Sequence, residues 1–243
     1  MRLQFIGSGD AFGSGGRFNT CFHVHGVSGN FLIDCGASSL IAMKRLPIDR
    51  NAINLILLTH FHPDHFGGVP FFILDAQLIA KRTRPLMIAG PPGLPHWCDR
   101  LFAATFPGDR KLPFELSLRE VEIGARNQIG ELAITPFHVR HDDKAGPCLA
   151  YRIELEGKII CYSGDTEWTD SLLDAARGAD LFICECYMFD KVIRAHLSLS
   201  TLREKLPEIG AKRVVLTHMS DDMLSRTPEI EFEMASDGKT ISI

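Results

Sequence analysis

Apolar residues in this chain come mostly in short runs broken by glycine and proline, and no long periodic stretch dominates. Runs of four to eight apolar or alternating residues bounded by turn formers read as strands, and the continuous ones as strands buried on both faces. This pattern predicts strands at 2–6, 20–25 and 30–34, then at 53–58, 85–89, 114–122, 128–139, 148–155, 158–163, 180–186 and 213–217, with a closing pair at 230–234 and 239–243. Helices are predicted at 38–46, at about 67–82, from Pro91-Pro92-Gly93 to near Phe106, near 169–177 and near 199–209. Two β-rich halves, each ending in helices, imply an α/β architecture in which two mixed sheets pack face to face with helices outside. No repeat, low-complexity tract or linker interrupts the pattern, so residues 1–243 are expected to form one domain.

Composition narrows the class. At 45% apolar and 23% charged residues the chain matches an ordinary globular protein. No window holds the roughly 18 uninterrupted apolar residues of a membrane span. Residues 1–7 run straight into a strand without the apolar core and cleavage site of a signal peptide, so the expectation is a cytoplasmic protein with no membrane partner. The seven cysteines, at 21, 35, 98, 148, 161, 184 and 186, are odd in number and form no Cys-x-x-Cys pair, and all are read as structural. A net charge of −4 gives no support for broad electrostatic capture of nucleic acid. The basic clusters Lys81-Arg82-Thr83-Arg84 and Arg110-Lys111 are read as solvated surface.

The chemistry concentrates at strand ends. Directly after the 53–58 strand stands Thr59-His60-Phe61-His62-Pro63-Asp64-His65-Phe66-Gly67-Gly68, three imidazoles and a carboxylate within six residues. These are ligand types for zinc, iron or manganese. Side chains two apart on an extended segment point the same way, so His60 and His62 can grip one ion while Asp64 and His65, turned by the following helix start, face a second. Pro63 stiffens the turn, and Gly67-Gly68 lets backbone pass close by. Asp165 ends the next such strand and can bridge two cations; an Asx turn or helix cap would account for it alone, but beside the histidines the ligand reading prevails. Thr217-His218 repeats the grammar and makes His218 the last ligand of the second ion. A third imidazole for the first ion comes from Phe137-His138-Val139-Arg140-His141, where His141 is preferred because it stands at the break from strand to loop; His138 is expected to pack or hydrogen-bond within the strand. The glycine-rich segment 7–17 lacks the ending of a nucleotide P-loop and is read as a mobile loop over the site.

In this order the His60–His65 cluster, Gly164-Asp165-Thr166 and Thr217-His218 resemble the signature of the metallo-β-lactamase superfamily. Leu32-Ile33-Asp34-Cys35-Gly36, Tyr162-Ser163-Gly164-Asp165-Thr166, Ala179-Asp180-Leu181 with Glu185, and Ala195-His196-Leu197-Ser198 are similar to its ribonuclease Z and cyclic-phosphodiesterase branch, and the likeness runs from about residue 3 to about 220. The resemblance implies a four-layer αββα sandwich with the site at one edge. It implies that His60, His62 and His141 hold one ion, that Asp64, His65 and His218 hold the other, and that Asp165 bridges. It makes Asp34 a brace for the histidine loop and places His196 beside the metals without ligating them, to bind a phosphoryl oxygen or protonate the leaving group; a surface histidine near a helix cap is the plainer reading of His196.

The function expected from this is metal-dependent hydrolysis, with a water shared by two divalent cations deprotonated to a bridging hydroxide and Asp64 orienting it or taking its proton. Zinc is the default metal for a nitrogen-rich site, with manganese or iron open. The favoured substrate is a small or cyclic nucleotide-type phosphodiester. RNA is allowed, but His141 and Asp165 lie only 24 residues apart, too close for the long transfer-RNA arm that ribonuclease Z carries in that interval. The alternative is a lactone, thioester or other carboxyl-type bond. A homodimer is also allowed; nothing in the chain fixes the oligomeric state.

Overall fold

The computed structural model describes residues 1–108 and 111–243, so Arg110 of the second basic cluster lies outside the described residues. In chain order the strands are β1 (Arg2–Gly7), β2 (Cys21–His25), β3 (Asn30–Ile33), β4 (Leu55–Leu57), β5 (Leu86–Gly90), β6 (Leu116–Glu120), β7 (Asn127–Ile129), β8 (Leu132–Val139), β9 (Cys148–Leu155), β10 (Lys158–Tyr162), β11 (Leu181–Glu185), β12 (Val214–Thr217), β13 (Glu233–Met234) and β14 (Thr240–Ser242). The helices are α1 (Ser39–Arg45), α2 (Pro63–Phe66), α3 (Val69–Leu78), α4 (Leu94–Thr105), α5 (Ser171–Ala176), α6 (Leu199–Ile209) and α7 (Asp221–Ser225). One sheet has the order β14-β1-β2-β3-β4-β5-β6, the other β13-β12-β11-β10-β9-β8-β7.

Side-chain alternation builds the layers. Leu55 and Leu57 of β4 point into the core between the sheets, with Leu3, Phe5, Phe22 and, from the second sheet, Tyr151, Tyr162 and Ile183. Ile56 and Leu58 point the other way, onto Met43, Phe72 and Phe102 of the helices covering the first sheet. In β11, Phe182 and Cys184 likewise face Leu172, Leu202 and Met223 of α5, α6 and α7. A strand buried on both faces must be apolar throughout, which is why these segments read as continuous runs. The result is the expected four-layer αββα sandwich.

Several details depart from the sequence reading. The 128–139 strand is a hairpin, β7 and β8, turned at Gly130 with φ +57°. The closing strands do not pair with each other: β13 lies parallel to β12, whereas β14 crosses to β1 of the other sheet. The helix predicted to 82 ends at Leu78, followed by Lys81 in a left-handed conformation, φ +49°. Arg82 is not solvated surface: it is 1% exposed and donates to the carbonyls of Arg50, Asn51, Arg84 and Pro85. These carbonyls lie in two turns, Arg50 and Asn51 between α1 and β4 and Arg84 and Pro85 between α3 and β5, and the five guanidinium donors suit them. All seven cysteines are free and buried. Among the described residues no helix is long and apolar enough to cross a membrane.

Strands β3, β4 and β5 run parallel to one another, as do β10, β11 and β12, so their C-terminal ends collect at one edge of the sandwich. This is where α/β sheets generally carry their ligands, because the loops leaving the strands converge there. Hydrogen bonds join the sheets at this edge, among them Leu149 N–H to Thr59 O at 3.1 Å and Tyr151 Oη to Leu58 O at 2.7 Å.

Candidate metal centre

Each predicted metal ligand follows a strand end. After β4, His62 caps α2 in an extended conformation and Pro63 takes its first position, where a missing N–H costs nothing, so Asp64 and His65 ride on a single helical turn. That turn lies against the one after β3. A Cβ on Gly68 would fall 2.2 Å from the carbonyl oxygen of Gly36, so glycine is required for the approach. After β10, Gly164 has φ +59° and a Cβ there would sit 2.5 Å from Leu149 O; the sharp bend delivers Asp165. After β12, His218 is itself left-handed, φ +56°, with its N–H donating to Ser8 O at 3.1 Å.

The side chains gather in two groups, His60, His62 and His141 in one and Asp64, His65, Asp165 and His218 in the other, with the donor atoms of each within 4.8 Å of one another. His141 Nε2 lies 3.0 Å from His62 Nδ1, and the His60 ring centroid is 4.8 Å and 5.0 Å from those of His62 and His141. In the second group, His65 Nε2 and His218 Nε2 are 3.3 Å apart, and each approaches both Asp64 Oδ2 and Asp165 Oδ2 at 3.2–3.3 Å. Asp165 Oδ2 also lies 3.9 Å from His141 Nε2, so it stands between the groups. His138, by contrast, is exposed and pairs with Asp143 at 3.3 Å. It does not pack inside the strand as expected: near the end of β8 it stands exposed and meets Asp143 of the turn that follows.

A buried carboxylate orients the imidazoles. Asp34 is fully buried and left-handed, φ +59°. It accepts from Thr59 N–H at 2.8 Å, from Thr59 Oγ1 at 2.9 Å and from His65 Nδ1–H at 2.7 Å. Because the Thr59 hydroxyl proton is spent on Asp34, its oxygen accepts from His60 Nδ1–H at 3.0 Å. That assignment leaves His60 Nε2 a bare lone pair, and His60 Nε2 is indeed buried with no hydrogen-bond partner, as is Asp165 Oδ1. Buried polar atoms without partners are rare and signal a missing ion or water.

Charge tells the same story. Burial, reinforced by His65, holds His60 well below the usual imidazole range, so it is neutral. Burial also pulls on His65 and His218, but the carboxylates around them outweigh it: Asp165, Asp64 and Asp34 raise His65 well up, and Asp165 and Asp64 raise His218. Asp64 and Asp165, in turn, are held far below the carboxylate range despite burial by these histidines. Buried carboxylates that recruit protons onto adjacent imidazoles, next to nitrogens with free lone pairs, are a donor set that fits divalent cations.

His196 lies at the rim, half-buried. Its Nδ1–H donates to Glu185 Oε1 at 3.1 Å, and its ring stands 4.9 Å from His141 and 5.6 Å from His218. Burial lowers its pKa, but Glu185 and Asp165 more than compensate and push it up to about 9. The surface-histidine reading fails on this geometry. Glu185 also accepts from Thr166 N–H and Leu197 N–H, and it is fully buried at the end of β11. Besides the family resemblance, the sequence marks it as a carboxylate inside the apolar run 181–186, since a buried charge needs partners. Tyr187, stacked on His196 at 4.7 Å, carried none. The glycine-rich loop borders the site but is tied down: Asp10 accepts from Phe12 N–H, Ser14 N–H and Ser14 Oγ, and Asp237 from Ser8 and Phe18.

The fold and this donor set define a hydrolase of the metallo-β-lactamase superfamily, in its ribonuclease Z branch. The metallo-β-lactamase fold protein YhfI from Bacillus subtilis superposes with a TM-score of 0.81 over 99% of this chain and 98% of its own, at 20% identity. Ribonuclease Z of Agathobacter rectalis is 27% identical over 264 aligned positions, covering 86% of this chain and 84% of the relative. More specifically, the chain belongs to the family described as Anti-Pycsar protein Apyc1, whose model matches residues 1–239. The Anti-Pycsar protein Apyc1 of Bacillus phage vB_BsuM-Goe3 is 27% identical over 254 positions, 99% of this chain and 97% of the relative.

Proposed function

We propose that this protein is a binuclear metal-dependent phosphodiesterase acting on a small or cyclic nucleotide-type phosphodiester. The observation that carries the reading is a carboxylate-backed imidazole, Glu185–His196, standing beside seven converging nitrogen and oxygen donors at a strand-end edge. His60, His62 and His141 would hold one ion, Asp64, His65 and His218 the other, with Asp165 between them and zinc the default metal. Such a pair supplies Lewis-acid activation of water and neutralises charge on the phosphoryl oxygens.

The chain's own groups do the rest. Asp64, held as a carboxylate, orients the attacking water or takes its proton. His196, kept protonated by Glu185, donates to the departing oxygen and so stabilises the developing alkoxide. Asp34 and Thr59 keep His65 and His60 in the tautomers that leave Nε2 facing the cluster. A thioester would leave the Glu185–His196 pair less to do, since a thiolate departs without such help.

A small substrate fits better than transfer RNA. The interval from His141 to Asp165 holds only a one-turn helix at 143–145, β9 and β10. The ribonuclease Z alignment spans more positions than this chain has residues yet leaves part of the chain uncovered, so that relative carries segments with no counterpart here. The match to the Apyc1 family fits a phosphodiesterase as well. We place the activity in a single domain and, from seven free buried cysteines, in the reducing cytoplasm. The test is turnover by metal-loaded protein of bis-p-nitrophenyl phosphate, cyclic nucleotides and a precursor transfer RNA against a panel of thioesters and lactones. Cyclic nucleotides should be the best of these substrates; activity confined to thioesters or lactones would overturn the reading.

A further inference from the structure

Ala195 has φ +74°, the left-handed region that a residue with a Cβ enters at a cost of about 1–2 kcal/mol. Such strain persists only where the surroundings impose it, and it collects at functional sites. Here the surroundings are specific. The turn is closed by a bridge between Ile193 and His196. On its far side Leu197 is gripped at both ends, its N–H donating to Glu185 Oε2 at 3.2 Å and its carbonyl accepting from the N–H groups of Tyr187 and Met188. His196, next in sequence, is fixed on Glu185. With His196 and Leu197 anchored, the left-handed residue turns its carbonyl onto His141, and Ala195 O accepts from His141 Nδ1–H at 2.8 Å.

This contact does for His141 what Asp34 does for His65 and Thr59 for His60. Donating Nδ1–H sets the tautomer in which Nε2 is free to face His62 and Asp165. Unlike a side-chain acceptor, a carbonyl cannot rotate alone; its direction is set by the peptide plane between Ala195 and His196. We infer that Ala195 is a positioning residue whose strained carbonyl fixes His141 and thereby couples the first ion's histidine triad to the turn that carries His196. Any displacement of the turn withdraws the acceptor from His141, and by reciprocity occupation of the triad tightens the turn. This rests on the proposed metal-binding role of the cluster.

The experiment combines equilibrium zinc binding, by competition with a chromophoric chelator, with amide hydrogen exchange over residues 193–197. In the parent, zinc should slow exchange there; in His141→Ala, zinc bound by the remaining site should not. Ala195→Gly and Ala195→Asn, which tolerate positive φ, should keep first-ion affinity within a few-fold. Ala195→Val, which does not, should weaken it roughly 10–100-fold while the second ion binds as in the parent. A folded Ala195→Val with parental affinity for both ions overturns the coupling. So does zinc protection of 193–197 that is equal in the parent and His141→Ala, and this comparison decides the matter even if Ala195→Val fails to fold. A parent that takes up no zinc overturns the metal reading itself and this inference with it.

Discussion

Glu185 and His196 meet across 3.1 Å, and the carboxylate has no exposed surface of its own. A buried carboxylate hydrogen-bonded to an imidazole governs that imidazole's proton. Burial alone would strip His196 of its charge; Glu185 reverses the sign and pushes the pKa up to about 9. The imidazolium is therefore present below that pKa and lost as pH rises through it. Glu185→Gln keeps an acceptor but removes the charge, so the alkaline limb of kcat on a phosphodiester with a poor leaving group should move to lower pH, with metal content unchanged. A limb that stays put, or moves upward, would remove Glu185 from control of the proton.

If His196 delivers that proton, its removal should be felt in proportion to the leaving group's need. His196→Ala should fold and retain both metals, yet lose roughly 10²–10⁴-fold in turnover of an alkoxide leaving group. With p-nitrophenolate, which departs almost unaided, the loss should be much smaller. Equal losses for the two substrates would leave His196 with phosphate binding alone. Depleted metal would instead make it a ligand and undo the proposed allocation of the other seven residues.

His138 and His141 provide an internal control three residues apart. His141 faces His62 and Asp165, while His138 is exposed on Asp143. His141→Ala should lose one metal equivalent by elemental analysis and most activity. His138→Ala should retain both ions, with stability within about 0.5 kcal/mol of the parent, as for most exposed substitutions. Metal loss in His138→Ala would reverse the choice.

How far the sequence disclosed this arrangement depended on what each feature rests on physically. Strands such as 53–58 and 180–186 were legible because a strand covered on both faces has no polar positions to blur it. The sheet to which β13 and β14 belong was not, since short end strands take their partners from tertiary packing. The hairpin carries only Gly130-Glu131 as its mark, a two-residue break between Ile129 and Leu132 that is too short to divide the predicted run. Four donors in six residues made His60 to His65 stand out, and a strand-to-loop break singled out His141. Thr59 and Ala195 act through a shared hydroxyl and a backbone angle, which leave little trace in residue type. Arg82 misled because a basic cluster normally points to water, and only the fold reveals the carbonyls it serves.

His62 and His65 belong to one motif but sit in different surroundings, and their removal should separate metal loss from fold loss. Elemental analysis of the parent should give about two divalent ions per chain, with activity abolished by a chelator and restored by zinc. His62 is half-buried, and among the described residues the carboxylate it pairs with is exposed Asp142 at 3.8 Å. Its loss strands no buried charge, so His62→Ala should be depleted in metal and activity while melting close to the metal-free parent. His65 has no exposed surface and stands among three buried carboxylates, Asp34 at 2.7 Å, Asp165 at 3.2 Å and Asp64 at 3.3 Å. Removing it leaves them facing one another with fewer counter-charges, and breaking a buried ion pair from one side typically costs about 3–5 kcal/mol. Metal-free His65→Ala should therefore unfold at clearly lower denaturant or temperature than metal-free His62→Ala. Metal-free variants of equal stability would show that the carboxylates do not depend on His65, and unchanged metal content in both would refute the site.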